Sequence, residues 1–359
     1  MRDVKMKTML LLLAAVMTAG CVSGPQNQSA GGGCPPKQKK TGPVKIGFSM
    51  DTVKEERWQR DRELVDQHAK EVGAQAIIQV ANGDDATQKK QADNLLTQGV
   101  DVLIVAPHDA IGAASIVEAA HKRCVPVISY DRLIKESDPD LYVSHQVVKI
   151  GEMQAKYLLD RVPKGNYVII GGSQTDNNAT LLHDGQMNIL KPAVDRGDIK
   201  IVADQYSNDW LPSEALNHTQ NAMTQNNNNI QAVVASNDGT AGGVIQALGT
   251  RAGNPILVSG QDAELTACRR IVEGTQAMTV YKPIKPLAYS AVDAAIKFAN
   301  GEKVEATDKP TNNGKIDVPS ILQVPIAVDK NNMMDTVIKD GYHKLEEVYQ
   351  NVPKDQWPK

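Results

Sequence analysis

The sequence predicts an α/β fold of two side-by-side domains with parallel sheets, and three observations carry that reading. From residue 43 onward, short apolar, β-branched runs alternate with longer amphipathic stretches. The runs are almost continuously apolar, as in strands covered by helices on both faces. A break near residues 142–150 divides them into two similar halves. A chain of 359 residues has room for two cores of ordinary size.

In order, the first half contains KIGFSM (45–50), AIIQVA (76–81), VDVLIVAP (100–107) and VPVISYD (125–131). The second contains NYVIIGGS (166–173), IKIVADQ (199–205), AVVASND (232–238), PILVSGQD (255–262) and MTVYK (278–282). Segments such as TQKKQADNLLTQG (87–99) and GGVIQAL (242–248) supply the crossover helices.

Ahead of these runs lies a leader. MRDVKMK carries three basic residues and precedes TMLLLLAAVMTAG (8–20), a stretch that suits a signal peptide and is too short to span a bilayer. Residues 1–20 therefore read as a signal peptide. TAGC resembles the lipobox of bacterial lipoproteins, with Thr18 where Leu is usual, which makes Cys21 the acylation site. Residues 21–42, rich in Gly, Pro, Ser and Gln, then form a flexible tether. The expectation is an exported protein, lipid-anchored on the outer face of the cell membrane. Cys34 falls in the tether, and Cys124 and Cys268 read as plain buried thiols.

With 41% hydrophobic and 23% charged residues, the chain is neither disordered nor a multi-span membrane protein. A net charge of −3 provides no basic field for nucleic acid. The seven histidines have no ligand spacing, and no nucleophile elbow, phosphate loop or calcium loop occurs. Nothing calls for a metal or a cofactor. DGTAGG (238–243) reads as close helix-to-strand packing.

In open parallel sheets, ligands bind beyond the carboxyl ends of the strands. Arg57 and Trp58 follow the first run, Asp131 and Arg132 the fourth, and Asn178 the fifth. Trp210, in SNDWLPSEAL (207–216), follows the sixth; Asn237, Asp262 and Lys282 follow the last three. Asp and Asn at such places also cap helices, whereas Lys and Arg do not. Trp58 alone could be a core residue of an amphipathic helix. A second Trp beyond a strand of the other half turns the pair into facing platforms. Planar donors and acceptors joined by two indoles suit a small neutral polyol. Asp131 and Asp262 could also form a glycosidase pair. With Arg132 and Lys282 nearby both should stay ionised, leaving no general acid and no enzyme.

ERWQRDR (56–62), ANG (81–83), SYDR (129–132), GGSQTDNNA (171–179), VVASND (233–238) with TAGG (240–243), SGQDAEL (259–265) and GTQAMTVYKPI (274–284) carry a family resemblance. Over roughly residues 44–345 the chain resembles the ribose and galactose periplasmic-binding family of bacterial ABC importers, in its xylose branch. The resemblance implies a type I fold of two Rossmann-like lobes joined by a three-segment hinge. One lobe would span 43–147 plus 284–314, the other 148–283 plus 315–359. It further implies D-xylose or a similar monosaccharide held by Arg57, Trp58, Asp131, Arg132, Asn178, Trp210, Asn237, Asp262 and Lys282. The lobes of a monomer would close on the sugar and present it to membrane permease subunits. A LacI-type repressor core shares the fold but carries a DNA-binding segment where this chain has its leader. A sensor showing its closed form to a membrane kinase or chemoreceptor is the alternative role.

Overall fold

The computed structural model describes residues 34–358; the expected signal peptide, the Cys21 acylation site and the tether up to residue 33 lie outside them. The first sheet is seeded by β1 (Lys45–Met50), whose apolar residues are fully buried. The chain continues through α1 (Glu56–Glu71), β2 (Gln75–Val80), α2 (Asp85–Thr97), β3 (Val102–Ala106), α3 (Ala114–His121), β4 (Val127–Tyr130) and β5 (Leu141–His145). Along β3 the side chains alternate between two cores. Val102, Ile104 and Ala106 meet Trp58, Val65 and Ala69 of α1. Leu103 and Val105 meet Leu95 of α2 and Val117 of α3. A two-residue period feeding helices on both faces is what a continuous apolar run encodes.

The second sheet uses α4 (Val147–Arg161), β6 (Gly165–Gly171), α5 (Asn177–Asp195), β7 (Ile199–Tyr206), α6 (Pro212–Gln225), β8 (Ala232–Ala235), α7 (Asp238–Leu248), β9 (Leu257–Val258), α8 (Leu265–Glu273) and β10 (Thr279–Tyr281). The chain then returns through α9 (Ile284–Ala299), β11 (Asp308–Asn312) and β12 (Asp317–Gln323), and ends with β13 (Ile326–Val328) and α10 (Leu345–Val348). Strand order is β11-β12-β5-β4-β3-β1-β2 in the first sheet and β7-β6-β8-β9 in the second, with β10-β13 as a separate pair. Every pairing within the two larger sheets is parallel except β11 with β12.

Helix α9 packs its alanine-rich face beside α1 and over β3, β4 and β5, although it follows β10 in the chain. The chain therefore passes between lobes three times: after β5, after β10 and after β12. Backbone links join these passages, with Gln146 N–H donating to Gln323 O at 3.1 Å.

Five features differ from the sequence reading. Strand β5 fills the region read as a break, all five of its residues buried. Residues 317–323, expected in the second lobe, pair with β5 in the first sheet. Their Pro319 precedes the β5 pairing, which begins at Ser320, and so removes no ladder bond there. Residues 36–42 have no regular structure but are fastened to the first lobe. Lys40 forms a 2.6 Å ion pair with Asp101, and Lys37 Nζ donates to Asp101 O at 2.9 Å. Cys124 is disulfide-bonded rather than a plain thiol, as is Cys34, while Cys268 is free and buried.

Within DGTAGG, Gly243 serves helix-to-helix packing, not the helix-to-strand packing expected. A Cβ on Gly243 in α7 would lie 2.0 Å from Pro212 O at the start of α6. Gly243→Ala is therefore expected to separate these helices and destabilise the protein by about 1–3 kcal/mol, read as a lower chemical-denaturation midpoint.

Candidate functional site

Each expected site residue leaves the carboxyl end of a strand or opens the helix behind it. Arg57 and Trp58 lie in the first turn of α1, where Trp58, Asp61, Val65 and Ala69 form its buried face. Asp131 and Arg132 follow β4; Asn178 is in the first turn of α5, capped by Asp176. Trp210 closes a short turn after β7, Asn237 caps α7, Asp262 follows β9 and Lys282 follows β10. In both sheets the order reverses beside the first strand, between β1 and β3 and between β6 and β8. That switch point is where an open parallel sheet leaves a crevice.

All nine residues line one cleft between the lobes, together with Glu55, Asp176 and Gln261. Arg57 Nη1 donates to Asp131 Oδ2 at 2.5 Å, and its other nitrogens make a two-point contact with Asp61 at 3.1 Å. Asn178 Nδ2 donates to Asp131 Oδ1 at 3.1 Å. Lys282 Nζ lies 3.0 Å from Asp262 Oδ1 and 3.7 Å from Asp131 Oδ2. Arg132 bridges Asp51 (2.6 Å) and Asp176 (2.8 Å), and Asp176 accepts from Trp210 Nε1 at 3.2 Å.

Trp58 belongs to the first-lobe core and also walls the cleft, with Arg57 4.4 Å and Arg132 5.2 Å from its ring centre. Trp210 lies flat against Gly172, where a Cβ would stand 2.2 Å from the ring. Only glycine permits that position for the indole.

Burial alone would raise the Asp131 pKa, but Arg57 and Lys282 outweigh it and hold the carboxyl well below its usual range. A proton donor for glycoside cleavage is therefore not what Asp131 provides. Burial pushes Asp176 upward, opposed by Arg132. His145, buried at the end of β5, is lowered by burial; it lies 3.9 Å from Asp131 and 3.2 Å from Pro283 O.

Three buried oxygens lining the cleft have no hydrogen-bond partner: Glu55 Oε2, Asn178 Oδ1 and Asp262 Oδ1. Lys282 is near enough to Asp262 for an ion pair, but the angle is not that of a hydrogen bond. Buried oxygens of this kind ordinarily find a donor. The cavity measures about 30 Å³, room for ordered water. Outside it lies a wider opening of about 410 Å³ that shares Glu55, Arg132 and Trp210.

Asn237 reaches the cleft but its Oδ1 is engaged, accepting from Thr240 N at 2.8 Å. Only its amide NH₂ remains for a ligand. Sequence reasoning missed Glu55, Asp61, Gln261 and His145. Glu55 and Asp61 belong to the charged run around Trp58, and Gln261 adjoins Asp262, so proximity was the available signal. For His145 there was none.

Two parallel α/β lobes closing on a polar, tryptophan-walled cleft define a bilobed ligand-capture protein. The chain belongs to the periplasmic binding protein family, whose domain matches residues 46–303. It is 49% identical over 306 residues to the D-xylose-binding periplasmic protein of Escherichia coli (strain K12), covering 85% of this chain and 92% of that one. The D-xylose-binding periplasmic protein of Haemophilus influenzae is 47% identical, with the same coverage of both chains. A carbohydrate transporter solute-binding protein of Chloroflexus aurantiacus, solved with D-glucose, superposes with a TM-score of 0.79 at 30% identity, covering 86% of this chain and 98% of that one.

Behind Asp262 lies a second acidic group. Asp238 is fully buried and accepts from Gln276, Thr279 and Glu264 N. Burial pushes its carboxyl up to about 7, against the pull of Arg270. The folded protein therefore holds a proton that the unfolded chain releases near pH 4. The associated stability is present below that pH and is lost as pH rises through about 7. Thermal melts from pH 4.5 to 7.5 should show a decline that is shallower in Asp238→Asn.

Proposed function

We propose that this protein captures D-xylose in the interlobe cleft and delivers it to the permease of an ABC importer. The observation that carries the reading is the convergence of all nine expected residues, from both lobes, on one cleft with three buried oxygens that receive no hydrogen bond. The names of the two bacterial relatives support the choice of sugar.

Capture follows from the geometry. With the lobes apart, Arg57, Asp131 and Trp58 are on one lobe and Asn178, Trp210 and Asp262 on the other. A sugar gains its full set of contacts only when they meet, so it favours the closed form. Its hydroxyls would donate to Asp262, Asp131 and Asn178 Oδ1 and accept from Arg57, Arg132 and Lys282. Its C–H faces would lie on the two indoles. Hydrogen bonds to charged groups contribute about 1.5–3 kcal/mol each, and a micromolar Kd needs only about −8 kcal/mol. Four such bonds and two ring contacts are ample after ordering costs.

Trp210, fixed on Gly172 and tied to Asp176, would form the wall that excludes the extra CH₂OH of a hexose. Export, acylation at Cys21 and a monomeric state complete the proposal. The leader and TAGC junction support export and acylation.

Calorimetric titration of the mature chain with D-xylose, D-ribose, L-arabinose and D-glucose tests the reading. Tight xylose binding that Asp262→Ala weakens at least about tenfold is expected. No heat with any sugar would overturn it. Trp210→Ala should weaken xylose and admit glucose; unchanged selectivity would move the specificity wall elsewhere.

A further inference from the structure

Helix α1 does more than deliver Arg57 and Trp58. Its residues Glu56 and Arg60, one turn apart, reach across to the second lobe at a place outside the cleft lining. Glu56 Oε2 accepts from Leu265 N at 2.8 Å. Leu265 is the first residue of α8, whose amide has no partner within the helix. A carboxylate there also complements the helix dipole.

Arg60 lies against the neighbouring C-terminal segment. Its guanidinium stands 4.3 Å from the ring centre of Tyr342 and 3.3 Å from His343 Nδ1. His343 Nε2 is 2.7 Å from Ala263 O. A carbonyl can only accept, so Nε2 carries the proton and Nδ1 accepts from Arg60.

These contacts surround the loop that presents Asp262. Asp262 and Ala263 have φ of 98° and 51°, two successive left-handed residues without a glycine. Such a conformation persists only where its surroundings hold it. From the second lobe, Val280 O accepts from Asp262 N (2.8 Å), Thr279 from Ala263 N (3.2 Å) and Asp238 from Glu264 N (3.0 Å). The next amide, Leu265 N, is held from the first lobe by Glu56. The set of clamps is complete only when the lobes are together.

We propose that Glu56 is a positioning residue for ligand capture: an interlobe latch that locks the Asp262 loop on closure without touching the ligand. The latch slows escape, because the sugar leaves only after Glu56 releases Leu265. This inference rests on the sugar-capture reading only for its kinetic readout.

Glu56→Ala and Glu56→Gln are compared with wild type by stopped-flow Trp fluorescence with D-xylose. Small-angle scattering reports the closed fraction with and without sugar. Because the Glu56 side chain is 35% exposed, the lower end of the charged hydrogen-bond range applies. Glu56→Ala should speed dissociation by about five- to tenfold. Association and the melting temperature of the ligand-free protein should stay unchanged, and the closed fraction should fall. Glu56→Gln, which keeps an acceptor oxygen, should restore most of the slow dissociation. Unchanged dissociation and scattering in Glu56→Ala overturn the latch, as does a loss of affinity matched by a loss of ligand-free stability. Absence of xylose binding by wild type would overturn the sugar reading instead. The scattering of the ligand-free proteins would then decide the latch alone, a lower closed fraction in Glu56→Ala supporting it and an unchanged one overturning it.

Discussion

The ion pair of Arg57 and Asp131 joins two side chains only 3% and 4% exposed, at 2.5 Å. Removing two charges from water costs more than their attraction returns unless the remaining donors and acceptors are also satisfied. Here the surroundings meet that demand. Asp61 takes the other edge of the guanidinium and accepts from Tyr130 OH. Asn178 donates to the Asp131 carboxylate, and Tyr142 and Ser144 donate to its carbonyl. These partners come from α1, β4, β5 and α5, so the positions of four elements depend on one pair. Lys282 and Asp262 extend the same alternation of charge across the cleft.

Backbone conformation at the site shows a related constraint. Asp131, Trp210 and Asp262 all have positive φ, at 59°, 57° and 98°. A chain leaving the end of a strand must turn sharply to aim a side chain back over the sheet edge. A glycine would turn at lower cost but would bring no carboxylate or indole. The fold therefore retains the functional residue and offsets the strain with neighbouring contacts. Trp210 is a clear instance: Asp176 holds its indole nitrogen and Gly172 leaves space beneath the ring.

The nine strands read from the sequence are the ones whose burial on both faces forces a continuous apolar run, and the structure contains each of them. What escaped detection lacks that signature. Strand β5, LYVSH, is fully buried yet ends in Ser and His, whose polarity resembles a loop. Strands β11 and β12 carry Pro310 and Pro319, residues that ordinarily argue against pairing. That these residues share a cleft was legible because crevices in open parallel sheets lie beyond strand ends, a rule that needs no tertiary information. Asp61 was not legible, because its role is to satisfy another residue three-dimensionally. Its i+4 spacing from Arg57 is equally that of a surface pair. At Asn237 capping and ligand contact call for the same residue type: the cap takes its oxygen and leaves the amide NH₂ to the cleft.

The hinge and the site are chemically continuous, which makes closure responsive to the cleft. Lys282 directly precedes Pro283, whose carbonyl faces His145 Nε2, and His145 follows Ser144, which holds the Asp131 carbonyl. The passage after β10 thus adjoins the cleft residue Lys282, the passage after β5 adjoins residues that contact Asp131, and the third is tied to the first through Gln146 and Gln323. The end of β10 leads into Lys282, which lines the cleft, and the end of β5 supports Asp131 from behind. In a protein with its site and hinge far apart, binding energy would have to pass through packed cores to move the lobes. Here a few consecutive residues belong to both, so a contact made in the cleft acts directly on the segments that bend.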